Sequence, residues 1–214
     1  MDTPLRQKLI GIAKERISSE DPSHDFEHSY RVLLNAEKIS KIEGGDLEVI
    51  TPACLFHDLI VYPKHSKADL NFQSQEDSAK ATEKILNSIK EYPKEKIAKV
   101  LVSIRQCSFS RGIIPELLES KILQDADKLE STGVISIMRT FSSGGQMKRL
   151  LYNPEDPFCE KREPNSKKYS LDLFYNRLLI AKDRMHTQIA KKIAKERNKA
   201  LVLFLKELKD EIND

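Results

Sequence analysis

Residues 25–45 read DFEHSYRVLLNAEKISKIEGG, and their apolar positions Val32, Leu33, Ala36 and Ile39 recur at three- and four-residue steps. That period predicts an amphipathic helix over roughly Asp25 to Glu43, with Gly44-Gly45 as its stop. The same spacing continues in both directions while the alternation of half-buried strands is nearly absent, so an all-α fold is expected. Upstream, Thr3-Pro4 has the form of an N-cap and first-turn proline, and Leu5, Leu9, Ile12, Ala13 and Ile17 share one face of a helix ending near Ser18. Downstream, Asp46 is expected to cap a helix over about 47–60, in which Pro52 marks a kink or the true start. Residues 62–76, YPKHSKADLNFQSQE, hold no period and read as a loop, a candidate lid. Helices are predicted at about 77–89, 94–106, 115–131, opened by Pro115, and 133–142. Gly144-Gly145, Pro154, Pro157 and Pro164 predict a second long loop over 144–168, and closing helices follow at 169–185 and 187–211. No internal repeat interrupts this order.

The chain has 214 residues, 39% of them apolar and 32% charged, with 7 Gly and 9 Pro, which excludes a disordered or collagen-like protein. One domain spanning 1–214 is expected, with a motif core at 20–135 and the C-terminal helices 169–211 on it. No run approaches the roughly 20 apolar residues that span a bilayer, and the opening MDTPLRQKLIGIAKER lacks a signal-peptide apolar region, so a cytoplasmic protein without a membrane partner is expected. Cys54, Cys107 and Cys159 are too few and too scattered for a disulfide framework or a thiolate zinc site. The 36 basic residues nearly balance 33 acidic ones, and the basic run from Lys182 to Lys199 has no Trp to stack bases, which argues against a nucleic-acid partner. Ile189, Ile193, Leu201, Val202, Leu205 and Leu208 give that helix an apolar face for the domain or for a second copy in a homodimer.

Chemistry concentrates elsewhere. Ala53-Cys54-Leu55-Phe56-His57-Asp58-Leu59-Ile60-Val61 sets a histidine and a carboxylate side by side in an otherwise apolar run. A buried carboxylate costs several kcal/mol unless a cation, strong donors or a metal meets it, so Asp58 needs a partner. An internal Asp–Arg or Asp–His pair serving the fold is the bland account. Against it, His24, His28, His57 and His65, four of five histidines, crowd into residues 24–65. His24 and His28 would share a helix face only if the helix had begun by His24, and Asp21-Pro22-Ser23 argues against so early a start. The segment QDADKLE adds Asp125 and Asp127, two apart and therefore on different sides of a helix, and helical geometry alone does not choose between them. Imidazoles with carboxylates form a ligand set suited to Mn, Fe, Co, Ni or Zn, with Mg also compatible, and a partly filled coordination sphere suits phosphate-ester hydrolysis.

His28, His57-Asp58 and Asp127 resemble the H…HD…D signature of the HD-domain metal-dependent phosphohydrolases. HDFEHSYRVLLNA, ACLFHDL and QDADKLESTGVISIMRTF extend the likeness to the small bacterial HD-domain hydrolases, including those that cleave nucleoside triphosphates to monophosphate and pyrophosphate, over roughly residues 20–208. The resemblance implies an all-helical bundle and one divalent ion, manganese among the candidates, held by His28, His57, Asp58 and Asp127. It leaves Asp125 and His24 around those ligands. Some relatives carry a glutamate shortly after the doublet as general base, but Val61 stands there in this chain.

For proton transfer the remaining candidates are His65, Glu76 and Asp77, and for the substrate's phosphates Arg31, Lys64, Lys67 and Arg105. Solvated loop charges and surface ion pairs account for the same residues equally well. The expected function is divalent-metal-dependent hydrolysis of a phosphate or pyrophosphate linkage in a small nucleotide. A phosphomonoesterase or cyclic-nucleotide phosphodiesterase on the same site, or a non-catalytic metal or nucleotide sensor, are the alternatives.

Overall fold

The structure is a computed structural model, and its description covers the chain apart from residues 2, 20, 22, 63–68, 109–111 and 214 and the side chains of 69–72 and 213. The helices run α1 Thr3–Arg16, α2 Phe26–Glu43, α3 Leu47–Phe56, α4 Asp69–Ser88, α5 Ile97–Arg105, α6 Leu118–Lys128, α7 Gly133–Gln146 and α8 Gln188–Asn213. Among the described residues there is no strand, only the isolated bridge Leu150–Tyr169, so the fold is all-α as the periodicity predicts. No helix there is long and apolar enough to cross a membrane. The chain divides into two compact units, Met1–Asp127 and Lys128–Asp214.

In the first unit α2 starts where Asp25 accepts from the His28 amide, and it stops at Gly44, whose φ of 83° lets its N–H reach the Ser40 carbonyl. Asp46 then caps α3, whose residues Val49–Phe56 are all buried. Pro52 does not mark the start of α3, because the helix already begins at Leu47. Having no N–H, Pro52 leaves the Glu48 carbonyl one turn back without its helical donor, and the buried Tyr92 hydroxyl donates to that oxygen at 2.7 Å. Leu33, Ile39, Ile50, Leu55, Phe56, Leu86, Ile104 and Ile122 fill the core of this unit.

Several predicted boundaries move. α3 ends at Phe56 and not near Ile60, so His57-Asp58 stands in the turn after the helix. α4 starts at Asp69, so the second half of the predicted 62–76 loop is helical and Glu76 and Asp77 lie inside the helix. Asn, Gln, Ser and Glu give that stretch no apolar stripe, yet none of them breaks a helix. α6 opens at Leu118, not at Pro115.

In the second unit α7 runs through Gly144-Gly145 to Gln146. A Cβ at Gly144 would stand 2.1 Å from Ser170 Oγ, so this glycine serves a close crossing and does not end the helix. The predicted 169–185 helix is instead a π-helical turn, Phe174–Leu178, and a 3-10 turn, Ala181–Arg184. Leu171, Phe174, Leu178 and Leu201 form the core of this unit, with Phe174 stacked on Phe204 at 5.4 Å. The expected 144–168 loop is tied inside by Arg162, whose guanidinium donates through both terminal nitrogens to the fully buried Asp172 carboxylate at 2.5 and 2.8 Å.

Candidate metal centre

Three elements of the first unit converge on one point. The Asp25 cap fixes the first turn of α2 and with it His28, which is fully buried. His57-Asp58 follows the buried end of α3. Asp127 lies in the last turn of α6, and Asn35 Nδ2 of α2 donates to the neighbouring Ala126 carbonyl at 3.4 Å, tying those two helices beside it. The resulting separations are 3.7 Å from His28 Nε2 to Asp58 Oδ2 and 3.4 Å to Asp127 Oδ1. From His57 Nε2 they are 3.5 Å and 4.0 Å to the same oxygens. Ligand atoms of His28, His57 and Asp58 all lie within 4.8 Å of one another.

These distances fit a shared cation. A charge-assisted hydrogen bond would be about 2.7–2.9 Å long. Two ligands about 2.1 Å from one ion stand about 3.0–3.4 Å apart at right-angle or tetrahedral separation and about 4.2 Å apart across it. The His57 tautomer agrees: Nδ1 is 2.8 Å from the Cys54 carbonyl, which only accepts, so the proton sits on Nδ1. Nε2 is thereby turned toward the two carboxylates, and with the ring neutral it would offer a lone pair to a positive ion between them. Sulfur takes no part. Burial pushes both the Cys54 and Cys107 thiols well above their usual range, and the negative field of Asp58 and Asp127 adds to it at Cys107. The donors are thus nitrogen and oxygen, hard to borderline, and they suit a divalent first-row ion or Mg²⁺.

His24 joins this group from outside α2. Its ring meets His28 edge-on at 5.6 Å, and its Nε2 is 4.0 Å from Asp58 Oδ2. Asp125 is fully buried, and Arg31 is half-buried one turn beyond His28. Arg105 forms a two-pronged pair with Glu76, at 2.6 and 3.0 Å, while Asp77 accepts from Tyr62 and Gln73. The hydrogen bonds from Arg105 hold Glu76 below the usual carboxylate range, and those from Tyr62 and Gln73 do the same for Asp77. Lys64, His65 and Lys67 lie outside the described residues. Two contributors escaped sequence reasoning: Asp21, whose spacing of three from His24 is its only signal, and the Cys54 carbonyl, which as a backbone atom has none.

An all-α unit with two imidazoles and two carboxylates drawn together from α2, the end of α3 and α6 defines a class of helical metal-competent proteins. The HD domain family model matches residues 25–132, half of the chain, and the protein belongs to that family. In sequence it is 28% identical over 200 residues to YpgQ of Bacillus subtilis, covering 92% of this chain and 88% of YpgQ. In structure it is similar to an HD-superfamily hydrolase from Bacillus thuringiensis, with a TM-score of 0.72, 32% identity and coverage of 98% of this chain and 97% of the other. A protein from Listeria innocua gives 0.71 and 32%, over 100% and 98%. YpgQ in complex with ADP gives 0.70 and 24%, over 97% of both chains, a likeness of fold.

Proposed function

We propose that this protein is a divalent-metal-dependent phosphohydrolase that cleaves a phosphate or pyrophosphate linkage in a nucleotide, taking a nucleoside triphosphate to monophosphate and pyrophosphate. The observation that carries the reading is the approach of His28 and His57 Nε2 to the Asp58 and Asp127 oxygens at 3.4–4.0 Å, a spacing suited to ligands of one ion. Membership of the HD family and the ADP complex of YpgQ support the nucleotide class.

His28, His57, Asp58 and Asp127 would hold a divalent ion, which would supply a Lewis acid for the phosphoryl oxygen and for deprotonation of water. In the reaction the water oxygen forms a bond to the α-phosphorus, the bond from phosphorus to the bridging oxygen breaks, pyrophosphate leaves with the electron pair, and the proton lost by the water passes to solvent through Glu76, Asp77 or His65. His57 serves by keeping its proton on Nδ1 against Cys54, so that Nε2 stays available as a donor atom. Arg31 and Arg105 are assigned to the substrate's phosphate oxygens, Arg105 after exchanging Glu76 for phosphate, and Lys64 and Lys67 to the same task. Glu76, Asp77 and His65 are assigned to proton transfer, and Asp125 to support of the ligands.

The test is a panel of nucleoside mono-, di- and triphosphates with Mn²⁺, Co²⁺ or Mg²⁺, read by product identity. Pyrophosphate from triphosphates is the expected result. Release of inorganic phosphate alone indicates a phosphomonoesterase, and no turnover with any ion contradicts the reading.

A further inference from the structure

Asp21 and His24 form a built dyad at the edge of the metal centre. Asp21 Oδ2 lies 2.9 Å from His24 Nδ1, while Asp21 Oδ1 accepts from the Ser23 amide at 2.9 Å and the Ser23 hydroxyl at 2.6 Å. Burial works against the charge on Asp21, but the hydrogen bonds from His24 and Ser23 outweigh it and hold the carboxyl well below the usual carboxylate range. A carboxylate oxygen only accepts, so Nδ1 of His24 is the atom that donates to Asp21 and Nε2 is turned away from it.

Nε2 faces Asp58. The separation of 4.0 Å from His24 Nε2 to Asp58 Oδ2 is too long for a direct hydrogen bond. It suits two acceptors that share one water, each about 2.8 Å from its oxygen. Both side chains are open enough to admit one, at 27% and 22% exposed. The same 4.0 Å also fits a further ligand of the ion, as between His57 and Asp127, and the metal affinity of a His24 variant separates the two roles.

We propose that His24, oriented by Asp21, fixes the attacking water, its Nε2 taking one O–H of a water whose other O–H goes to Asp58. A water donating both protons keeps its oxygen lone pairs free to face the phosphorus. The proposal rests on the hydrolase reading above and adds to it a residue that sets the direction of attack.

Two measurements test it on the full chain. Nitrogen-15 NMR of the histidine rings in the metal-free protein is expected to show His24 in the Nδ1–H tautomer, and the Nε2–H tautomer overturns the proposal. In His24→Asn the side-chain amide can still donate to Asp21 but nothing replaces Nε2. Both His24→Asn and His24→Ala are expected to lose about 10- to 100-fold in kcat, with KM and the calorimetric Kd for Mn²⁺ within about twofold of wild type. Near-normal turnover in His24→Asn makes the tie to Asp21 alone sufficient and overturns the proposal. A rise of about tenfold or more in the Mn²⁺ Kd makes His24 a ligand and overturns it too. A wild-type chain that cleaves no nucleotide defeats the hydrolase reading and the attacking water with it, an outcome visible without any variant.

Discussion

Asp58 approaches both buried imidazoles, 3.7 Å from His28 and 3.5 Å from His57, as Asp127 does at 3.4 and 4.0 Å. Asp58→Ala is therefore expected to weaken Mn²⁺ binding by about tenfold or more in calorimetry and to abolish any rise in Tm that Mn²⁺ gives the wild type. Unchanged affinity would place the ion elsewhere. Asp172 makes a prediction about pH. Burial opposes its charge, but Arg162 and the Asn165 amide overcome this and hold its carboxyl below the usual carboxylate range. The unfolded chain thus takes up a proton at this site at higher pH than the native one, so stability from Asp172 is present above about pH 4 and lost as pH falls below it. Acid lowering of Tm between about pH 5 and 3 is expected to be shallower in Asp172→Asn than in wild type, and equal slopes contradict the assignment. The His57-Asp58 doublet stands out in the sequence because a histidine and a carboxylate inside an apolar run demand an explanation, whereas only the family resemblance, and not helical geometry, singles out Asp127 from Asp125. The Arg162–Asp172 and Arg105–Glu76 pairs could not, because partners 10 and 29 residues apart leave no periodic signal.

Helix α3 survives an internal proline because a side chain from outside replaces the missing donor. Tyr92→Phe removes that donor from the Glu48 carbonyl and is expected to cost about 1–3 kcal/mol in urea unfolding. The loss is expected to shrink in a Pro52→Ala background, where the alanine N–H can serve the same oxygen; equal losses in both backgrounds contradict this account. On α7, Gly144→Ala is expected to destabilise by about 1–3 kcal/mol through its clash with Ser170, with partial recovery in Gly144→Ala/Ser170→Ala. Gly145→Ala, with nothing within 4 Å, is the control and is expected to be neutral or mildly stabilising. These elements show where periodicity runs out. A glycine pair reads as a stop whether it ends a helix, as at Gly44, or admits a neighbouring chain, as at Gly144. Likewise the apolar spacing of 169–185 does not distinguish an α-helix from the π and 3-10 turns that bury Phe174 and Leu178.

Across the molecule, the family match and all four candidate ligands fall in or at the edge of the first compact unit, which ends at Asp127. The all-α class was legible because nearly every segment shares one apolar period. The division into units was not, because it falls between Asp127 and Lys128, inside a continuous helix. If an ion completes the centre, chelation should be felt through the fold, and EDTA added to the Mn²⁺-loaded chain is expected to lower Tm to the metal-free value. The most direct test of the account is anomalous diffraction from crystals of the chain grown with Mn²⁺. The account predicts one strong peak within about 2.0–2.3 Å of His28 Nε2, His57 Nε2 and oxygens of Asp58 and Asp127. A map with no peak among those four side chains, or with the ion bound by other residues, would contradict it.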